Sequence, residues 1–425
     1  MTDFKVHTRW IRVEARDIAA ATACHLKVML ADRNLTEYTG EDTPSADGLE
    51  IPAYYLAEWV ALNWWALLWE PRKNEDEADS DDFLSRHAFP AADNGYALPD
   101  LKIIPVGDVI EMRASRRRPL FAGVRFRNGA FASLPRQLVV SELRKFISVT
   151  STHLGSRGFT GTPLQEMVEL ISTTEPEQEA YCRMVGALGL SPYAENETLD
   201  GHLAEAIQNL GERVAMDLCL AATAETFAVA ERRAGLALEL AGRSDPASLA
   251  PLSPIAPPPD ILTQEAWRRG VAAAARVRDG LRISETDAKG GTAFLERLGI
   301  ELEKATQLAS TDNEDVTGAV IRDDLAMRLG LIQPRKEQRR FTAARGAYAA
   351  WTAESAQNSQ LLTYSLTRDQ QASRAFAAEL MAPKAFIRLR YRTAEKSKHL
   401  VDDIAAELTV SPEVVRYQAE NNGLI

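Results

Sequence analysis

Histidine and cysteine are the side chains that most often bind metals or act as nucleophiles, and this chain uses both sparingly. Among 425 residues there are six histidines and three cysteines. No two histidines lie within five residues of each other, and no CxxC occurs, so the usual spacings of zinc ligands are absent. We therefore predict that the chain binds no metal and no cofactor. The residues concerned are His7, His25, His87, His153, His202, His399, Cys24, Cys182 and Cys219.

Sequence motifs for phosphate or acyl chemistry are missing as well. The patterns GxGxxG, GxxxxGK[ST] and GxSxG do not occur. Gly155–Gly161 is rich in glycine but lacks the lysine of a phosphate-binding loop, which favours a connection at the end of a helix. The acidic run Glu75–Asp82 does not match the spacing of a calcium loop and indicates a solvated loop. An enzyme whose active site lies within residues 1–240 stays an alternative, although no recognisable combination of catalytic residues occurs there.

One dense basic cluster stands out in this acidic chain. Its arginines lie on a segment that follows a predicted strand and on the strand after it. A solvated turn is one interpretation, and a contact with phosphate groups or with an acidic partner is the other. The second interpretation would make the chain a DNA-associated regulator. The cluster consists of Arg113, Arg116, Arg117, Arg118, Arg125 and Arg127.

Three segments of the C-terminal part form the most specific pattern. They read QRRFTAARGAYAAW at Gln338–Trp351, QASRAFAAELMAP at Gln371–Pro383 and LVDDIAAELTVSPEVVRYQAENNGL at Leu400–Leu424. In order and spacing they resemble the ImmA/IrrE family of zinc metallopeptidases, over about residues 263–425. The resemblance implies a zincin-like domain with a zinc-binding helix, a second helix that supplies another ligand, and a helical tail. We expect an α+β fold that is rich in helix.

The chemistry of the resembled family needs an HExxH helix with two zinc-binding histidines and a general-base glutamate, and a glutamate ligand on the following helix. The resemblance puts Arg345 and Ala349 at the two histidines, Gly346 at the base and Gln370 at the last ligand, or Gln371 with an offset of one residue. None of these residues can replace the zinc ligands or the general base. Arginine, for example, stays protonated and offers no lone pair to a metal. We expect a degenerate site in which a guanidinium replaces the metal charge, although a helix can also carry an exposed arginine by chance.

The elements that precede this domain fall into regions of different pattern. Residues 1–150 indicate an α+β domain of strands around a tryptophan-rich helix at Ile51–Trp69. This helix is near the lower limit for a membrane span, and its polar residues favour a buried helix instead. Its tryptophans are expected in the core rather than on an aromatic platform for a base or a peptide. Asn128–Gly129 predicts a hairpin between strands at Leu120–Phe126 and Ala130–Leu134.

The rest of the chain is mainly helical in pattern. Residues 151–243 indicate a helical region, and the dense prolines of residues 244–262 indicate an extended linker before the C-terminal domain. In the tail, Val401–Leu408 and a helix that starts at Ser411 resemble a helix-turn-helix. The acidic residues of the second helix make it a poor reader of DNA, so we expect the tail to pack on its domain.

Composition and resemblance together define the functional expectation. With 45% hydrophobic and 26% charged residues, the chain is neither disordered throughout nor embedded in a membrane. A net charge of −11 argues against a polyanion-binding surface over the whole chain. Few, isolated cysteines fit a reducing cytoplasm. We expect a bacterial, non-catalytic regulatory component whose groove holds a peptide or a protein partner, in stress response, mobile-element control or phage defence. A metallopeptidase with non-standard ligands remains the alternative.

Overall fold

The chain folds into two compact units, Met1–Asn196 and Glu197–Ile425. Both combine helices with antiparallel sheets, so the fold is α+β, as expected. None of the helices that the structure describes combines the length and apolarity that a bilayer crossing needs. The structure is a computed structural model, and it describes residues 3–40, 45–73, 80–92, 94–116, 123–302, 315–393 and 399–425. Most of the acidic run at residues 75–82 lies outside these ranges.

The first unit begins with strands and ends with helices. Its elements in chain order are β1 Phe4–Trp10, α1 Ile18–Ala21, β2 Ala23–Leu30, β3 Arg33–Asn34, β4 Tyr38–Thr39, β5 Leu49–Pro52, α2 Ala53–Leu62, α3 Trp64–Trp69, α4 Asp81–His87, β6 Asp100–Val106, β7 Val109–Ser115, β8 Arg125–Phe126, β9 Ala130–Pro135, α5 Arg136–Ser156, α6 Pro163–Thr173 and α7 Pro176–Ala187. One sheet contains β1, β2, β3 and β5, with β2 between β1 and β5, and another has the order β6-β7-β9.

The core of this unit is built from the buried faces of the strands and from apolar helices. In β2 every second residue is buried, because successive side chains of a strand point to opposite faces. Trp59, Trp64 and Trp65 are buried, which confirms the prediction of core packing. The predicted single helix breaks at Asn63, whose side-chain amide donates to the carbonyl oxygen of Trp59 at 2.9 Å. Such a local side-chain bond competes with continuation of the helix.

The predicted hairpin at Asn128–Gly129 is wrong. β8 pairs with β4, whereas β9 pairs with β7. The amide of Asn128 donates to the carbonyl oxygen of Asn34 at 2.8 Å and to the carboxylate of Glu37 at 2.9 Å, so it joins a distant segment instead of making a tight turn. A Cβ on Gly129 would lie 3.0 Å from the carbonyl oxygen of Ala114, so glycine serves a close approach. Residues 120–122 lie outside the described part.

The second unit contains the segment that resembles the peptidases. Its elements in chain order are α8 Glu197–Leu210, α9 Glu212–Ala221, α10 Phe227–Arg243, β10 Ala247–Ser248, α11 Ala266–Gly280, α12 Gly290–Arg297, β11 Val316–Asp323, β12 Ala326–Leu331, α13 Lys336–Thr352, β13 Gln357–Thr363, α14 Arg368–Met381, α15 Lys384–Thr393, α16 Leu400–Leu408 and α17 Pro412–Asn421. The predicted helical region 151–243 is thus divided between the two units.

A sheet of the order β10-β12-β11-β13 lies between two helices of this unit. Gly330 of β12 faces α10, because a Cβ there would lie 1.7 Å from the backbone oxygen of Ala237. Leu331, the residue after Gly330 in β12, pairs with Gly318 of β11. Gly318 faces Thr342 of α13. Neighbouring residues of a strand point to opposite sides, so α10 and α13 cover opposite faces of the sheet. The glycines allow both helices to approach the strands closely.

The proline-rich segment 244–262 is packed, which corrects the prediction of an extended linker. Ala247 pairs with Met327 and so adds β10 to the sheet. Leu252 is completely buried, and the indole nitrogen of Trp351 donates to the carbonyl oxygen of Ile255 at 3.1 Å. Proline prevents helix here but leaves backbone carbonyls free to accept hydrogen bonds, and apolar side chains between the prolines reach the core.

The C-terminal tail packs on its own unit, as expected. Val415 and Ala419 of α17 are buried. The amide of Gln418 donates to the carboxylate of Glu379 at 3.1 Å and to the carbonyl oxygen of Ala382 at 3.0 Å. These two bonds fasten α17 to α14 and its C-terminal end.

Candidate functional site

The candidate site lies where α13 and α14 meet the sheet. α13 is lined by small residues, which lets it approach the strands, and Arg345 is a long charged side chain among them. A Cβ on Gly346 would lie 2.4 Å from a side-chain carbon of Leu329 in β12. Packing against the sheet therefore explains the glycine that takes the position of the general base in the resembled peptidases. Ala349, one turn further along the helix, is 6% exposed.

Arg345 is buried and fully engaged by neutral partners. It is 1% exposed. Its Nε donates to the hydroxyl of Ser373 at 3.3 Å, and its Nη1 donates to the hydroxyl of Thr317 at 3.3 Å. Its Nη2 donates to the carbonyl oxygen of Thr363 at 2.5 Å and to Oε1 of Gln370 at 2.6 Å. The arginine is thus not an exposed residue on a long helix but the centre of a hydrogen-bond network.

The structure brings together two of the positions that the resemblance relates to zinc ligands. Arg345 and Gln370 are in direct contact, although they lie 25 residues apart. The amide nitrogen of Gln370 donates to the carbonyl oxygen of Leu361 at 2.8 Å, which fixes the orientation of the side chain. Gln371 donates instead to the carbonyl oxygen of Leu366. Gln370 rather than Gln371 is therefore the residue that faces Arg345.

Arg345 and Gln370, with other side chains, also cap the outer edge of β13. In the sheet β13 pairs with β11 on one side only, so its other edge needs partners for its backbone groups. The backbone nitrogen of Leu361 donates to the carboxylate of Asp217 at 3.1 Å, and that of Thr363 donates to Oε1 of Gln370 at 3.2 Å. The carbonyl oxygens of the same residues accept bonds from side chains as well. The capping side chains are Asp217, Arg345, Gln370 and Arg374.

The electrostatics of the site oppose a bound cation. Burial, together with the nearby charge of Arg374, lowers the pKa of Arg345 to about 9. Burial also lowers the pKa of Arg374 to about 10. Both guanidiniums remain charged at neutral pH, and the side chains that Arg345 contacts carry no carboxylate. A zinc ion at this place would be repelled by two cations and would find no lone pair in Arg345, Gly346 or Ala349.

Asp217 is the acidic member of the capping set, and its environment is unusual. Burial raises the pKa of Asp217 to about 7, although the backbone N–H of Leu361 acts in the opposite direction. The carboxyl group therefore changes its charge near neutral pH.

The groove that the resemblance implies is not open at the degenerate positions. Arg345 and Ala349 are both buried, and the outward backbone groups of β13 near them are occupied by side chains. The side chains of Arg345 and Ala349 are thus occupied by contacts within the unit. A guanidinium and an amide occupy the space between α13, α14 and β13 at this point.

The basic cluster of the first unit is partly neutralised. Arg113 pairs with Glu111 at 2.5 Å and lies over the ring of Phe131. Arg127 pairs with Glu37 at 3.0 Å. Arg116 and Arg125 are exposed on the surface, whereas Arg117 and Arg118 lie outside the described residues.

A further cluster was missed by the sequence analysis. Among the residues that the structure describes, His202, Glu205 and Glu231 are a group of potential metal ligands whose ligand atoms lie close together. His202 and Glu205 are three apart on α8, and this spacing was the only available signal. Glu231 comes from α10, and nothing in the local sequence connects it with α8.

Comparisons with known proteins found no match to a family model, to a curated protein or to a solved structure.

Proposed function

We propose that this chain is a non-catalytic relative of the ImmA/IrrE metallopeptidases and acts as a regulatory or protein-interaction component. The observation that carries the proposal is the 2.6 Å contact between Nη2 of Arg345 and Oε1 of Gln370. The resemblance relates these two positions to metal ligands on different helices, and such ligands must lie side by side. The contact supports the resemblance, and the chemistry of the two side chains opposes a bound zinc ion.

The same contacts support a structural role for the altered site. In the resembled peptidases a dication would hold the two helices together at this point. Here a guanidinium joins α13, α14 and β13 through hydrogen bonds to Ser373, Gln370 and Thr363. A charged donor with several acceptors stabilises a buried contact without a metal. A partner protein would then bind to exposed surfaces outside this network. The setting in stress response, mobile-element control or phage defence follows from the resemblance alone.

Rebuilding the ligand set tests the relationship. The triple variant Arg345→His, Ala349→His and Gln370→Glu would supply three ligands without the general base. We expect it to retain about one zinc per chain after dialysis against a weak chelator, measured by elemental analysis. The matched control carries Gln371→Glu in place of Gln370→Glu, and we expect it to retain no zinc because Gln371 faces Leu366.

Both variants also carry His202→Ala, so that the cluster on α8 and α10 cannot contribute metal. A far-ultraviolet circular dichroism spectrum like that of the parent establishes that the variants fold. Two outcomes would overturn the proposal. One is a folded triple variant that binds no more zinc than its control. The other is a tightly held zinc in the His202→Ala parent, which would restore hydrolysis as the leading function.

A further inference from the structure

The cluster on α8 and α10 lies apart from the Arg345 network. His202 and Glu205 belong to α8, and Glu231 belongs to α10. One ligand atom from each residue can be chosen such that all three lie within 4.8 Å of one another. Nδ1 of His202 is 3.5 Å from a carboxylate oxygen of Glu231. Since α10 covers the sheet face opposite to α13, the cluster and Arg345 lie on different sides of the sheet.

The spacing of these atoms is close to that of a coordination sphere. Around an ion held at about 2.1 Å, neighbouring ligand atoms lie roughly 3 to 4 Å apart. The 3.5 Å separation of His202 and Glu231 already lies in this range. The side chain of His202 is 37% exposed and that of Glu231 is 15% exposed. An ion can thus enter from solvent, while the ligands are already held by two packed helices.

The charges of the cluster favour a cation. The carboxylates of Glu205 and Glu231 both lie close to the imidazole of His202. Two carboxylates therefore share a partly buried place with one imidazole, which can neutralise at most one of them. A dication would compensate both carboxylates at once.

We propose that His202, Glu205 and Glu231 bind one divalent first-row metal ion, with zinc as the best match. One imidazole nitrogen with two carboxylate oxygens is a donor set that zinc accepts, and magnesium prefers oxygen ligands alone. Three protein ligands leave at least one coordination position for water. The bound ion joins α8 to α10 and thereby stabilises the second unit. This proposal is independent of the proposed function, because it uses different residues on another face of the sheet.

Titration of the metal-free full-length chain with zinc chloride tests the site. We expect saturable binding of about one zinc by isothermal titration calorimetry and a higher melting temperature at saturation. Glu205→Gln at the exposed position and His202→Ala should each weaken the affinity at least about tenfold, because each removes a direct ligand. His7→Ala, an exposed histidine of the first unit, is the matched control and should leave the affinity unchanged.

The melting temperature of each variant in chelator establishes that it folds before metal is added. The proposal is overturned if zinc neither binds nor stabilises the parent chain, which would leave the cluster as an ion pair between helices. It is also overturned if zinc binds equally well to the parent, Glu205→Gln and His202→Ala, because the ion would then occupy another place. Neither outcome bears on the Arg345–Gln370 contact.

Discussion

Replacing Asp217 by asparagine should make the second unit more stable at pH 8 and leave it nearly unchanged at low pH. Burial raises the pKa of Asp217 to about 7 from an ordinary value of 3.8. The folded chain therefore holds a proton that the unfolded chain releases, and the free energy of unfolding falls as the pH rises from the unfolded to the folded pKa. Asparagine cannot ionise, yet its Oδ1 can still accept the bond from the backbone nitrogen of Leu361.

The size of the effect follows from the width of this pH window. Each unit of pKa shift corresponds to about 1.36 kcal/mol, so the full window would give roughly 4 kcal/mol as an upper bound. The side chain of Asp217 is only partly buried, and solvent screening reduces the effect to about 1–2 kcal/mol. In a unit of this size, that difference raises the melting temperature by roughly 2–8 °C.

Differential scanning calorimetry of parent and variant between pH 5 and pH 8 measures the effect directly. We expect the melting temperatures of the two proteins to diverge as the pH rises from 5 towards 7 and to differ by a constant amount above it. Asp403→Asn, at an exposed position of α16, is the control for replacing a carboxyl group by an amide. A constant difference between Asp217→Asn and the parent over the whole range would refute the reasoning, since the carboxyl group would then not titrate in this window.

Three more predictions concern buried charge and close packing. Burial acts to raise the pKa of Glu70, but hydrogen bonds from Arg86 and His87 outweigh it and hold the pKa at about 2, so the first unit should lose stability below pH 4.5 in acid-unfolding experiments. Glu70→Gln should cost about 3–5 kcal/mol in urea unfolding near neutral pH, and a loss below 1 kcal/mol would contradict the buried ion pair. Gly346→Ala should be less stable than Gly235→Ala by about 1 kcal/mol, because the first Cβ would lie 2.4 Å from the terminal Cδ2 of Leu329, which must move aside, and the second meets no atom within 4 Å. Equal melting temperatures of these two variants would contradict the close packing of α13.

The sequence alone determined the features that depend on neighbouring residues. Alternation predicted the strand at His25–Leu30, and apolar density predicted the buried tryptophan helix. Ser411 and Pro412 correctly marked the start of the last helix. Proline is favoured at the first position of a helix, where its missing N–H costs no hydrogen bond. The resemblance also singled out Arg345 and Gln370, whose side chains are in contact. Each of these inferences needed only a short stretch of chain.

Only the tertiary structure decided which distant groups meet. β8 pairs with β4 instead of the strand that follows it, and the proline-rich segment docks on the sheet. Periodicity indicates that a side chain is buried but carries no information about what it is buried against. For the same reason, no local pattern could reveal that Gln370 bonds Arg345, that Asp217 caps β13, or that Glu231 approaches His202. These contacts join residues far apart in the chain, and the packing of whole helices on the sheet sets their geometry.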